Sequence, residues 1–235
     1  NHDVVRHASR YGLPPAAPGD LEAWPPPTLA RDNAWLATGG VEPPEDTELG
    51  LFRALAATQF ILGLPGCVYL YQGEELGLRE VATIAADERQ DPTFFRSGDG
   101  DVGRDGCRVP LPWTPDGPSL GFGPGLAHLP QPAWFADHAA STQAEDPAST
   151  LTFYRRLLAL RRDLLSSLKG HGAGEPDLTW LDAPPNVLGF QRPNGWQVWT
   201  NFGAEAVPLP PGELLLASRE TTEELPGATT VWVRA

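Results

Sequence analysis

Several residue types are scarce in this sequence, and their scarcity excludes some classes of protein. The 235 residues include no methionine and only two cysteines. Cys67 and Cys107 lack the Cys-x-x-Cys or Cys-x-x-His spacing of a zinc site, so we expect two free thiols in a reducing cytoplasm and no metal ligands. Because the chain begins at Asn1 and has no methionine, we expect it to be part of a longer protein.

Positive charge is also scarce. The chain has 17 Lys and Arg residues against 30 Asp and Glu residues, which gives a formal net charge of −13. A nucleic-acid-binding face needs clustered positive charge, so we expect no nucleic-acid partner. No segment approaches the roughly 18 consecutive apolar residues of a membrane-spanning helix, and no basic-then-apolar leader opens the chain. The composition therefore predicts a soluble, cytoplasmic protein without a membrane partner.

The first 71 residues predict loop, helix and strand in that order. Residues 1–46 are rich in Pro and Gly and lack a sustained period, which predicts loop with short helical turns. Apolar residues recur at helical spacing over 47–62, and Gly63 then ends the predicted helix. The apolar run 67–71 is rich in strand formers and predicts a buried parallel strand.

The rest of the chain predicts a long loop, a helix and a β-rich end. Residues 72–150 far exceed the usual loop length of about 4 to 6 residues, so we expect this segment to be functional. Asp146-Pro147 predicts the cap and first position of a helix that ends at Gly170. Five short runs are then typical of strands: 178–181, 187–192, 196–202, 213–217 and 229–233. Asn194-Gly195 predicts a hairpin between the second and third runs.

Chemistry-bearing residues stand out in three places. His2 and Asp3 can bind neighbouring hydroxyls or move a proton, although such a dipeptide is common by chance and spacing alone favours a solvated terminus. Arg104 and Arg108 lie in a Gly-rich loop followed by Trp113, which predicts either a clamp for a polar ligand beside a stacking indole or a structural ion-pair cluster. Glu74-Glu75 follows the predicted strand, where α/β folds place ligand groups, or it caps the next turn.

Three separated strings are informative when they are taken together. They are Asn1-His2-Asp3 with Arg6 and Ser9-Arg10-Tyr11-Gly12; Leu64-Pro-Gly-Cys-Val-Tyr-Leu-Tyr-Gln-Gly-Glu-Glu-Leu-Gly77; and Gly103-Arg-Asp-Gly-Cys-Arg-Val-Pro110 with Trp113. Together these strings resemble conserved regions of the α-amylase superfamily of glycoside hydrolases, in its α-glucosidase and oligo-1,6-glucosidase branch. Their order and approximate separations also agree with that family.

The resemblance implies an α/β plus β chain. Residues 1–170 would be the C-terminal part of a catalytic (β/α)8 TIM barrel, from the end of strand 7 to helix 8. Residues 171–235 would form a small antiparallel β-sandwich domain. Asp3 would lie at the end of the seventh strand and residues 67–71 would form the eighth, at the barrel face where such enzymes place their active sites.

The resemblance also implies roles for individual residues. Asp3 matches the carboxylate that stabilises the transition state, and His2 matches a neighbour that binds the same glucose hydroxyls. Arg108, with Arg104 as the second candidate, matches an arginine that closes the pocket in exo-acting members by pairing with an aspartate. Arg6 matches a pocket contact. Retaining glycosidases also need a nucleophile and an acid about 5 to 5.5 Å apart, and no region here resembles the motifs that carry them.

The expected intact enzyme is therefore a retaining, exo-acting α-glucosidase that releases terminal glucose from short oligosaccharides or disaccharides. It would use no cofactor, and any calcium would lie in the missing N-terminal part, which also supplies the nucleophile and the acid. The chain alone is expected to be inactive. The alternatives are a glucosyl transferase or isomerase such as trehalose synthase, a catalytically dead amylase-like partner subunit, or a carbohydrate-binding module at 171–235.

Overall fold

The computed structural model describes residues 1–16, 26–97, 101–168 and 176–235. The chain forms two compact units. One is built from Asn1–Leu51 and Leu70–Thr152, and the other from Phe52–Tyr69 and Phe153–Ala235. The predicted boundary at Gly170 lies outside the described residues, so the division of the chain at that point stays a prediction.

Six α-helices are found in the described residues. They are α1 (His7–Gly12), α2 (Pro27–Ala37), α3 (Thr47–Gly63), α4 (Pro92–Ser97), α5 (Ala140–Glu145) and α6 (Thr150–Ser166), with 3₁₀ turns at Asp105–Arg108, Pro118–Gly121 and Ala133–His138. The helix predicted over 47–62 is confirmed by α3. Across the part of the chain that can be described, no helix has both the length and the apolar character to cross a membrane.

Two helices differ from the sequence-based predictions. Helix α2 lies within the stretch predicted as loop; it begins with a proline in its first turn and is anchored by the buried Trp35. Helix α6 begins at Thr150 and not at Pro147. The backbone N–H of Thr152 donates to Ser149 Oγ at 3.2 Å, so Ser149 is the cap, while the Asp146 carboxylate accepts from the N–H of Ala148 in a separate turn at 2.8 Å.

The second unit contains an antiparallel sheet. The strands are β1 (Thr179–Leu181), β2 (Val187–Gln191), β3 (Trp196–Asn201), β4 (Val207–Pro208), β5 (Glu213–Ala217), β6 (Glu224–Leu225) and β7 (Thr229–Arg234). Five form one sheet in the order β1-β2-β3-β7-β5, while β4 and β6 pair in a separate two-stranded sheet. The five predicted strands are confirmed to within one residue at each end, and the Asn-Gly hairpin joins β2 to β3.

Apolar residues on both faces of this sheet form the core of the second unit. On one face, side chains of α3 and α6 pack against β2, β3 and β7, and the rings of Trp196 and Trp232 lie 4.6 Å apart. On the other face, Leu225 of β6 packs with Val231 and Val233 of β7. The predicted antiparallel region is therefore present; its arrangement as a sandwich stays a prediction.

Residues 67–71 are not the buried strand that their composition predicts. The segment is irregular, and Tyr69 is 93% exposed. A parallel strand needs a hydrogen-bonded neighbour, and none of the described residues forms a ladder with this segment. The first unit instead has its core in loops and short helices, where Leu78, Val109 and Phe135 are buried.

Candidate active site

The structure brings Asp3 together with both predicted arginines. Asp3 Oδ1 lies 2.8 Å from Arg104 Nη1 and 3.2 Å from Arg108 Nη2. Arg108 Nε also donates to the backbone carbonyl of His2 at 2.9 Å, and His2 Nε2 lies 3.2 Å from Asp3 Oδ2. His2 and Asp3 from the start of the chain and Arg104 and Arg108 from a distant loop thus form one cluster around the Asp3 carboxylate.

A buried carboxylate that the sequence analysis did not single out stands behind the arginines. Asp91 Oδ2 accepts from the Arg104 backbone N–H at 2.9 Å and from Arg104 Nε at 2.7 Å, while Asp91 Oδ1 accepts from Arg104 Nη2 at 3.2 Å. Arg108 Nη1 lies 3.8 Å from Asp91 Oδ2. The hydrogen bonds from Arg104 hold the pKa of Asp91 well below its usual range, and the Asp91 contacts raise that of Arg104.

A second buried aspartate fixes the first. Asp105 Oδ2 accepts from the backbone N–H groups of Gln90 and Asp91, at 2.8 and 3.0 Å. Each aspartate therefore binds the main chain of the segment that carries the other. A Cβ on Gly103 would lie 2.9 Å from the Asp91 Cβ, so the close approach of the two segments requires a glycine there.

Arg6 lies beneath this cluster, and its guanidinium is buried. Its Nη1 donates to the carbonyl of Gln72 and its Nη2 to the carbonyl of Cys107, both at 2.8 Å. The Tyr71 hydroxyl donates to the same Cys107 carbonyl at 3.0 Å. Arg6 thus ties the loop after Tyr71 to the 3₁₀ turn that carries Arg108, and its predicted contact with substrate stays a prediction.

A cavity of about 550 Å³ opens beside Asp3 and Arg104. Its other walls include Leu29 and Leu36 of α2 and Arg96 of α4. This volume falls within the range of small-molecule sites, roughly 300 to 1,000 Å³. Trp113, predicted as a stacking surface, has an exposed side chain but is not among the residues that line the cavity.

Glu80 is a buried acid on the wall of the same cavity. Its Oε2 accepts from the backbone N–H of Arg6 at 2.8 Å, and its own N–H donates to Ser9 Oγ at 2.9 Å. Burial, with smaller contributions from the nearby carboxylates of Asp32 and Glu45, raises the pKa of Glu80 to about 7.

Other candidate groups have local partners. Glu74 Oε1 lies 3.1 Å from His7 Nδ1, and Glu75 Oε2 accepts from the N–H of Gly73 at 2.8 Å. Burial raises the pKa of the Cys107 thiol to about 12, so this thiol is not a nucleophile at neutral pH. Among the residues with a described position, no three His, Cys, Asp or Glu side chains are grouped so that they could hold a metal ion.

These features define a class of site. A half-exposed carboxylate is fixed between two guanidinium groups at the edge of a cavity, and an imidazole stands beside it. Carboxylate oxygens accept hydrogen bonds from hydroxyls, while guanidinium and imidazole N–H groups donate to them. Such a site suits a small ligand with several neighbouring hydroxyl groups, as a sugar has.

Comparison with known proteins assigns the family. The model of the α-amylase catalytic domain matches residues 45–169, which is more than half of the chain. The chain belongs to the α-amylase family.

Its relatives include hydrolases and glucosyl-transferring enzymes. A probable α-glucosidase of Rhizobium meliloti (strain 1021) is 32% identical over 197 residues, which are 83% of this chain and 28% of that protein. Trehalose synthase/amylase TreS of Mycobacterium tuberculosis (strain CDC 1551 / Oshkosh) is 36% identical over 122 residues, 49% of this chain and 16% of that protein. The chain therefore spans less than a third of either relative.

A solved structure agrees with the family assignment. The α-glucosyl transfer enzyme XgtA superimposes with a TM-score of 0.59 at 30% identity, covering 83% of this chain and 37% of that one. The fold of the chain is thus that of the α-amylase family, with an antiparallel sheet region at its C-terminal end.

Proposed function

We propose that this chain supplies one side of the active site of a retaining, exo-acting α-glucosidase that releases terminal glucose from short oligosaccharides or disaccharides. The observation that carries this proposal is the cluster in which Arg104 and Arg108 both reach Asp3 beside a small cavity. The similarity to a probable α-glucosidase supports the hydrolytic activity.

In this proposal Asp3 acts as the transition-state stabiliser. Its side chain is 48% exposed, so an oxygen remains accessible to hydroxyls of the sugar ring. Hydrogen bonds that strengthen as the ring distorts lower the barrier more than they improve ground-state binding. His2 and Arg108 would bind the same ring from either side, and the chain's partner in catalysis would be a nucleophile and acid held elsewhere in the enzyme.

The proposal includes the placement of the chain in a barrel. Residues 1–170 would form the part from the end of strand 7 to helix 8, and residues 171–235 the following β-domain. Residues 67–71 would become a strand only beside the neighbouring strands of a complete barrel. The exposure of Tyr69 supports this placement, because a barrel strand would bury such a side chain against its neighbours.

A second candidate function is glucosyl transfer or isomerisation. It is favoured by the similarity to a trehalose synthase and to a glucosyl transfer enzyme. In that case the same cluster would hold the glucosyl unit, and a sugar hydroxyl would replace water as the acceptor.

Product analysis distinguishes the two functions. The full-length enzyme would be incubated with maltose, isomaltose, sucrose and trehalose, and the products separated by chromatography. Free glucose from at least one disaccharide is the expected result. A disaccharide isomer as the main product would establish the second candidate, and cleavage restricted to the interior of long starch chains would contradict both.

A further inference from the structure

Asp91 has no role in the mechanism described so far, yet it accepts three hydrogen bonds from Arg104. Its side chain has no exposed surface, whereas that of Asp3 is 48% exposed. A buried carboxylate is costly unless it is paired and fully hydrogen-bonded. Asp91 meets this condition through Arg104 and through the backbone N–H of Thr93, at 2.9 Å.

The contacts of Asp91 leave one terminal nitrogen of Arg104 available to bind Asp3. Both Nε and Nη2 of the guanidinium donate to the Asp91 carboxylate, which fixes the plane of this rigid group. The remaining terminal nitrogen, Nη1, points to Asp3 and donates to Oδ1 at 2.8 Å. The orientation of Arg104 toward Asp3 thus follows from its contact with Asp91.

Asp91 is itself held in place from behind. Its backbone N–H donates to the buried carboxylate of Asp105, and Arg89 Nη1 donates to the carbonyl of Val102 at 2.6 Å. These bonds join residues 89–93 to residues 102–105, so Asp91 and Arg104 cannot separate without breaking several bonds at once.

We propose that Asp91 is a positioning residue of the active site, which holds Arg104 so that its Nη1 stays on Asp3 and fixes the carboxylate that meets the substrate. The catalytic consequence rests on the proposed function. The geometric part, that Asp91 holds Arg104, does not depend on it.

The test uses the full-length enzyme and the variant Asp91→Asn, with Asp87→Asn as the matched control. Asp87 is an exposed carboxylate in the same segment, and its substitution makes the same change of charge. We expect Asp91→Asn to lower kcat about 10- to 100-fold with KM changed less than about threefold, since groups that orient catalytic residues have effects of this size. Asp87→Asn should keep the wild-type kcat. An unchanged kcat in folded Asp91→Asn would overturn the proposal.

A double-mutant cycle separates positioning from general structural support. If Asp91 acts through Arg104, adding Asp91→Asn to Arg104→Gln should lower kcat no further. A full additional loss in the double variant would show an independent structural effect and overturn the proposal.

If Asp91→Asn does not fold, the variant Asp91→Glu replaces it in the test. This variant keeps the charge but displaces the carboxylate by one methylene, so we expect a several-fold lower kcat. A wild-type kcat in Asp91→Glu would overturn the proposal.

Hydrogen exchange provides a readout that needs no turnover. The Arg104 backbone N–H donates to Asp91, so Asp91→Asn should exchange faster than Asp87→Asn in peptides covering 102–108. Equal exchange would overturn the positioning role. Faster exchange in Asp91→Asn, together with a wild-type enzyme that cleaves no α-glucoside, would support that role while contradicting the proposed function.

Discussion

At the scale of single residues, the three carboxylates at and behind the cluster, Asp3, Asp91 and Asp105, have two different roles. Asp91 and Asp105 are buried, and each bonds to the main chain around the other. Asp3 is the half-exposed member and the one that borders the cavity. Buried, fully bonded carboxylates maintain geometry, whereas an accessible one can exchange partners with a ligand.

Replacing Asp3 by asparagine tests the role of its charge. The amide keeps the shape of the side chain but accepts hydrogen bonds more weakly and offers an N–H group to the arginines. In the full-length enzyme we expect kcat to fall by about 10²- to 10³-fold, the usual effect of removing one transition-state contact. Steady-state kinetics on a nitrophenyl α-glucoside would measure it. Full activity in the variant would exclude Asp3 from the reaction.

Glu80 predicts a dependence of stability on pH. Its pKa is about 7 in the folded chain against an ordinary value of 4.5, so between these pH values the folded state keeps a proton that the unfolded state releases. The contribution of Glu80 to stability is then largest below about pH 4.5 and falls as pH rises through 7, by roughly 3 kcal/mol.

The variant Glu80→Gln removes this dependence, because the amide oxygen can still accept from Arg6 but carries no charge. We expect its free energy of unfolding to exceed that of the wild type by more at pH 8 than at pH 4.5. Urea unfolding at the two pH values would show this difference. If the unfolding free energies of the variant and the wild type differ by the same amount at both pH values, the pKa of Glu80 is not raised in the folded chain.

The residue scale also shows what the sequence can and cannot reveal about the site. Asp3, Arg104 and Arg108 lie in strings that resemble family regions, so their proximity could be anticipated. Asp91 lies in no such string. Its contact with Arg104 depends on the path of an irregular loop that has no periodic pattern to predict it.

At the scale of elements, the turn after Tyr71 depends on a glycine. Gly73 has φ of 90°, and a Cβ there would lie 2.6 Å from Arg6 Nη1. Gly66 has a similar φ of 99°, but a Cβ built on Gly66 would meet no heavy atom within 4 Å. Gly66 is therefore a matched control for Gly73.

We expect Gly66→Ala to cost about 1 to 2 kcal/mol of unfolding free energy for its backbone conformation alone. Gly73→Ala should cost about 1 to 3 kcal/mol more, because the methyl group displaces the guanidinium of Arg6 from its carbonyl partners. Chemical denaturation of both variants gives the comparison. Equal losses would show that the contact with Arg6 is unimportant.

Strand β2 allows a similar paired test of the sheet's core. Phe190 is fully buried and packs against Phe60 of α3, with ring centroids 5.6 Å apart. Its neighbour Leu188 is 43% exposed. Phe190→Ala should lower the unfolding free energy by about 3 to 5 kcal/mol, and Leu188→Ala by less than about 1 kcal/mol. Both side chains point to the same face of β2, so a reversed order in thermal or urea unfolding would mean that Leu188, and not Phe190, packs into the core on that face.

Elements with local determinants were predicted well. Helix α3 has a helical apolar period, and the β2–β3 hairpin has its Asn-Gly turn; both were found as expected. The sequence does not predict helix α2, because the surrounding prolines and glycines obscure its short period. Residues 67–71 have the composition of a strand, but a strand also requires a neighbour, which local sequence does not specify.

At the scale of the whole molecule, the proposed function assigns to this chain one carboxylate, Asp3, of the three that the reaction needs. We therefore expect purified 1–235 to release no nitrophenol from a nitrophenyl α-glucoside, while the full-length enzyme does so. Spectrophotometric assays of both proteins at equal concentration are the measurement. Turnover by the chain alone would mean that a nucleophile and an acid are present within it, and that the role assigned to Asp3 is wrong.

The bonds of Arg6 have a consequence for how this sequence can vary. Its guanidinium donates to the main-chain carbonyls at positions 72 and 107. These contacts depend on the path of the backbone and not on which side chains these two positions carry. Gln72, whose side chain is exposed, can therefore change freely among homologues without disturbing the site. An insertion of one residue in either loop would move a carbonyl away from Arg6, and selection should act there on loop length.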